Sequence, residues 1–130
     1  MNHPANLHLS TTDHQVLSRL IAGVPGRTTT VDRLRGELAR AIVLDPAVVP
    51  TTAVGLNSRV EIEDLDTHER EEYQLVLPAV ADPDQQRLSV LAPVGTALLG
   101  YSEGDEIEWP TPGGSRRLKL LRVTRGAPLA

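Results

Sequence analysis

At 130 residues, with 40% hydrophobic content and a net charge of −4, the chain is sized for one globular domain plus an appendage and lacks a basic nucleic-acid footprint. Tyr73, Tyr101 and Trp109 are its aromatic residues and it has no Phe, so the core is aliphatic and the aromatic platforms that stack single-stranded bases are missing. It has no cysteine, which removes disulfides, thiolate zinc sites and cysteine nucleophiles.

The segment from Met1 to Leu9 has no basic region followed by an apolar run, and no stretch reaches the ~18 apolar residues of a membrane helix. A cytoplasmic protein without membrane attachment is expected. From Thr12 onward the pattern is helical: Val16, Leu17, Leu20 and Ile21 form one apolar stripe, and Thr12 with Gln15 reads as a capping box. Gly23-Val-Pro-Gly26 stops that helix, and Thr28-Thr-Thr30 offers a cap for the next. Val31, Leu34, Leu38, Ala41 and Ile42 then follow the three-and-four spacing of a helix–helix seam. Gly36 weakens this second helix by roughly 1 kcal/mol relative to Ala, so the pair leans on packing. The simplest expectation is a short antiparallel helical hairpin, a small coiled coil over residues 1–50, with Pro25, Gly26 and Arg27 at its tip.

Pro46 and Pro50 cannot sit inside a continuing helix, which places the boundary near Pro50. Beyond it the apolar period changes to two. Val60 and Ile62 alternate with Arg59, Glu61 and Glu63; Tyr73, Leu75 and Leu77 alternate with Gln74 and Val76. These are expected to be half-buried strands. Ser89-Val-Leu91 reads as a buried strand, Pro93 suits the first position of a helix, and Val94, Ala97 and Leu98 give that helix one apolar face before Gly100 caps it in a left-handed conformation. Ile107 and Trp109 alternate with Glu106 and Glu108, and Pro112-Gly-Gly114 turns into a last strand over Arg116–Val123. In that strand Leu118 and Leu120 fall on one face and Leu121 and Val123 on the other, which predicts a β-bulge between 120 and 121. Residues 51–130 are thus expected to form an antiparallel-rich sheet crossed by one short helix, and the whole chain to be α+β.

Candidate chemistry is sparse. Glu61, Glu63, Asp64, Asp66, Glu69, Glu71 and Glu72 invite a metal or acid–base hypothesis, but they lack the register and turn glycine of a calcium loop, and a solvated hairpin face accounts for them. His3, His8, His14 and His68 lack metal-ligand spacing and read as surface residues. Pro112-Gly-Gly114 is not a phosphate loop, since no Lys-Ser/Thr follows it.

Taken together, Leu56-Asn-Ser-Arg-Val60 with Asp64-Leu65, Leu75-Val-Leu-Pro-Ala79, Leu88-Ser-Val-Leu-Ala-Pro-Val-Gly-Thr-Ala-Leu-Leu-Gly100, Gly104-Asp105, Trp109 and Pro112-Gly-Gly114 resemble the bacterial nucleoside diphosphate kinase regulator (Rnk) family, a relative of the Gre transcript cleavage factors. The resemblance implies an FKBP-like C-terminal domain behind a short coiled-coil hairpin, and binding to RNA polymerase at the rim of its secondary channel. It places the polymerase contact at Leu91, Ala92 and Pro93, with Ala92 where Gre factors carry Ser. Gre factors also carry paired acidic residues on the hairpin tip that help hold a catalytic Mg²⁺, a task suited to hard oxygen ligands. Here Gly23–Thr30 has Arg27 as its only charge.

The expectation is therefore a monomeric, non-enzymatic regulator without metal or cofactor. It would compete with Gre-type factors for polymerase without stimulating cleavage, and would not bind nucleic acid sequence-specifically. The alternatives are an active Gre-type cleavage factor and a stand-alone FKBP-like peptide-binding or isomerase module, for whose proline pocket the chain has few aromatics. Direct association with nucleoside diphosphate kinase follows from the family's name alone.

Overall fold

The computed structural model describes residues 7–24, 28–111 and 113–125. His3, Pro112 and the expected hairpin tip Pro25, Gly26 and Arg27 lie outside these. The chain is mixed α+β, with a mostly antiparallel sheet.

Strand β1 (His8–Ser10) leads directly into helix α1 (Thr11–Ala22). The helix starts two residues earlier than the Thr12 capping box predicts, because Ser10 is the N-cap: it is extended (φ −73°, ψ 155°) and its hydroxyl accepts the Asp13 N–H. Helix α2 (Thr29–Arg40) begins as expected, with the Thr28 hydroxyl accepting the Val31 N–H at 3.1 Å. It ends sooner than its apolar spacing implies: Ala41 turns extended (φ −65°, ψ 145°), and Ile42 opens strand β2 (Ile42–Leu44). β2 pairs in parallel with β1, so backbone pairing takes Ile42 out of the helical seam. His14, near the start of α1, places Nε2 3.0 Å from the Leu38 carbonyl oxygen near the end of α2, as in an antiparallel helix pair. His14 and His8 are half-buried, which corrects their reading as surface residues.

The larger sheet has the order β5-β4-β3-β7-β6. It comprises β3 (Arg59–Asp64), β4 (Arg70–Val76), β5 (Arg87–Ser89), β6 (Glu106–Thr111) and β7 (Gly114–Thr124), with helix α3 (Pro93–Leu98) between β5 and β6. All pairs are antiparallel except β4 with β5, so the sheet is antiparallel-rich as expected, with one parallel edge pair. β4 and β5 are joined by two single turns of 3-10 helix, Pro78–Val80 and Pro83–Gln85, and this longer crossover lets β5 return in the direction of β4. Gln74, Leu75 and Val76 are all buried rather than alternating, as both faces of β4 are covered there. The predicted bulge is present: Glu61 pairs with Arg122 and Ile62 with Leu120, leaving Leu121 as the extra residue, and the shift buries Leu118, Leu120 and Val123 together.

The acidic hairpin between β3 and β4 is not wholly solvated. Asp64 is buried, accepts the Asp66 and Thr67 N–H groups, and meets Arg116 Nε at 3.0 Å; these bonds hold its carboxyl below the usual carboxylate range.

One contiguous apolar cluster joins the hairpin to the sheet, running from Leu7, Leu17, Leu34 and Leu38 to Leu98, Tyr101 and Leu118. Residues 99–101 knit the two backbones: the His8 N–H donates to the Gly100 carbonyl at 3.3 Å, the Gly100 N–H to Val54 at 2.9 Å, and the Val54 N–H to Tyr101 at 2.7 Å. Gly100 has φ +84°, and a Cβ there would stand 3.0 Å from Leu7 Cβ. Beside this seam α2 buries Glu37, 4% exposed, with Arg33 Nε 3.6 Å from its Oε1. Burial outweighs the attraction of Arg33 and Arg40 and pushes the Glu37 carboxyl up to about 7.

A carboxyl that takes up its proton more readily in the folded chain adds stability below its ordinary pKa, and that stability is lost as pH rises through about 7. We predict that Glu37→Gln removes the corresponding slope between pH 4.5 and 7 and is more stable than the parent at pH 8, by on the order of 3 kcal/mol. Paired urea titrations of parent and variant across that range measure it, the difference cancelling other groups such as Asp64.

Candidate functional site

The three residues singled out for partner binding, Leu91, Ala92 and Pro93, form the corner between β5 and α3. Strand β5 ends two residues short of the predicted Leu91, because the chain turns on Ser89: its side-chain oxygen accepts the Leu91 N–H at 3.0 Å and its carbonyl accepts the Ala92 N–H at 3.0 Å. Ala92, extended at φ −68°, ψ 146°, is the N-cap of α3 and Pro93 its first residue, where a missing N–H leaves nothing unsatisfied. Ala92 has no side chain to cap the helix, although its carbonyl accepts the Thr96 N–H at 2.9 Å.

Rigidity comes from beneath. The Thr96 hydroxyl, fully buried, donates to the Val90 carbonyl at 2.7 Å and ties α3 to the strand end. Gly95 lets the helix lie against β5: a Cβ built there would stand 2.2 Å from the Ser89 carbonyl oxygen. Val90 and residues 95–100 are buried, Leu91, Ala92 and Val94 are partly exposed, and Pro93 is exposed. The corner is therefore a small apolar prominence on a fixed base. It carries no nucleophile, acid or base, so what it can do chemically is present shape.

A second feature, which the sequence reading did not anticipate, is a cleft of about 440 Å³ between the start of α1 and the segment leading into β3. Leu9, Val16, Leu56 and Leu77 line it, together with Asp13 and Arg125. The Asp13 carboxylate accepts the Leu56 N–H at 3.0 Å, and burial raises its pKa against the opposing effects of that bond and of Arg125. Asp13 is thus a tie across the junction; an acidic residue in the third helical position carries no sequence signal of a contact 43 positions away. Among the described residues no group of three or more His, Asp or Glu is placed to hold a metal, and no helix is long and apolar enough to cross a membrane.

Two family models match the chain. One, described as the C-terminal part of the transcription elongation factors GreA and GreB, covers residues 49–125; the other, the Rnk N-terminus, covers residues 6–44. The regulator of nucleoside diphosphate kinase of Escherichia coli K12 is 43% identical over 103 residues, spanning 78% of this chain and 73% of that protein. Transcription elongation factor GreA of Clostridium botulinum is 36% identical over 94 residues, spanning 72% of this chain and 59% of that protein. Among solved structures, a prokaryotic transcription elongation factor GreA/GreB from Nitrosomonas europaea superposes with a TM-score of 0.79 at 40% identity, covering 94% of this chain and 99% of that one.

Two substitutions test how the corner is built. Gly95→Ala drives a methyl group into the Ser89 carbonyl and is expected to cost about 1–3 kcal/mol in urea denaturation. Ala92→Ser supplies the missing cap and is expected to raise stability by about 0.5–1 kcal/mol in the same measurement.

Proposed function

The chain belongs to the Rnk and GreA/GreB family, and from that premise we propose that it is a non-catalytic transcription regulator that docks on RNA polymerase at the rim of the secondary channel. The relatives are named as regulators and transcription elongation factors, which supports a role in transcription. In this proposal residues 51–130, with an FKBP-like fold, are the docking unit, and residues 1–50, a short coiled coil, are the part that intrudes. The protein works in the cytoplasm, where polymerase is.

The observation that carries the proposal is the combination of an accessible corner at Leu91–Pro93 with a hairpin unfurnished for cleavage. Each helix has 12 residues, hence a rod of roughly 18 Å at 1.5 Å per residue. The sequence Gly23–Thr30 between them contains no carboxylate with which to hold Mg²⁺. A molecule with this surface and this tip blocks a site; it does not assist hydrolysis. Competition with longer Gre-type factors follows from shared occupancy of the rim.

Retention of core RNA polymerase on the immobilised chain is the direct test. Pro93→Glu is suited to it, since Pro93 is exposed and Glu is well accommodated in the first turn of a helix. The expected outcome is retention by the parent, a loss of about tenfold or more in affinity for the variant, displacement by a Gre factor, and no acceleration of transcript cleavage in backtracked complexes. Absence of retention at micromolar protein overturns the proposal, and accelerated cleavage replaces it with an active cleavage factor.

A further inference from the structure

Sheet edges are sites where another strand can add, and this chain treats its edges unequally. The β5 edge of the larger sheet is occupied: Asp82 and Arg87 exchange both backbone hydrogen bonds at 3.0 Å, and the Ser89 carbonyl is taken by Ala92. The β6 edge carries exposed Glu106 and Glu108 and includes Pro110, which has no N–H to offer. In the small sheet, the far side of β1 is met by Gly100, whose carbonyl accepts the His8 N–H. The far side of β2 is different. Among the described residues, the exposed large apolar side chains are Ile42, Val43 and Val48, at 38%, 39% and 63%, all on β2 or just after it.

The backbone of β2 points the same way. The pairs with β1 are His8 with Ile42, Leu9 with Val43 and Ser10 with Leu44, and the Ile42 N–H donates to the Leu7 carbonyl at 2.7 Å. In a parallel ladder alternate residues direct both their groups to the same neighbour, so Val43 turns its N–H and C=O outward.

We propose that this edge is a self-association surface, on which a second copy of the chain pairs its own β2 antiparallel about a two-fold axis at Val43. Pairing about Val43 lets the two Val43 residues exchange both outward hydrogen bonds and sets Ile42 of one copy opposite Leu44 of the other, the self-complementary pattern of a two-fold interface. Charge selects this arrangement. The segment has exposed Arg40 at one end and exposed Asp45 at the other. Antiparallel pairing brings the cationic end of each copy to the anionic end of its mate, whereas parallel pairing would set like beside like. The contact is short, so the dimer is weak and concentration-dependent, and the chain is the expected monomer when dilute.

Sedimentation velocity of the intact chain from about 1 µM to about 1 mM reads it directly. The expected mass rises from 14.1 kDa toward twice that value. Val43→Lys, at a position already exposed, sets two ammonium groups opposite each other and is expected to hold the chain at the monomer mass. Arg40→Glu weakens association by bringing two acidic ends together, and Arg40→Glu combined with Asp45→Lys restores it. A monomer mass throughout the range overturns the proposal, as does a dimer indifferent to Val43→Lys. Circular dichroism of each variant confirms that the fold is kept.

Discussion

The molecule depends on one apolar seam that runs from two short helices through α3 to the five-stranded sheet, α2 meeting α3 and α3 lying against β6. Neither part stands well alone: a pair of 12-residue helices is marginal in water, and without the hairpin Gly100, after α3, would lose the cover of Leu7 and His8. Leu17 and Leu34 from the helices and Leu98, Leu118 and Leu120 from the sheet side are all fully excluded from water. Each such side chain contributes about 1.5–3 kcal/mol when removed from water. With hardly any rings to fill volume, close fit rests on branched aliphatic shapes and on close backbone approach, which is why Gly95 and Gly100 sit where the backbone has least room.

Polar groups then fix how the seam is aligned. The Asp13 carboxylate on α1 reaches the Leu56 N–H, His14 reaches α2, and the backbone of residues 99–101 bonds to β1 on one side and to the segment before β3 on the other. Glu37 runs against this economy, as a carboxylate held in the seam with its Oε2 lacking a hydrogen-bond partner. Removing water from it costs more than Arg33 returns.

Much of this was legible in the residues. The two helices, the strand at 60–62, the proline helix start, the left-handed Gly100 and the bulge in the last strand all follow from local periodicity and from what Pro and Gly permit; the strand at 73–76 was placed although its alternation is not kept. What escaped has a common cause. The β1–β2 pair, the parallel β5, the Asp13 tie and the Asp64–Arg116 ion pair join residues far apart in sequence, and a single chain carries no sign of which distant partner a short strand or carboxylate will meet. Ile42 shows the limit well: its spacing fits the helical seam, yet three residues of strand pairing take it away. The corner at Leu91–Pro93 was placed by resemblance and stands exposed in the fold, while the cleft beside Asp13 had no motif to announce it.

The extra residue at Leu121 reaches beyond its own neighbourhood. An unbroken strand of 11 residues, hydrogen-bonded along both sides, would have slipped alignments two residues away in which every side chain still faced its proper side. With Leu121 inserted, the buried set 118, 120 and 123 is aperiodic, and any such slip puts an apolar group into water or a charge into the seam. The irregularity acts as a keyed joint. It leaves the sheet one way to assemble, and the β6–β7 hairpin a single seat against β3.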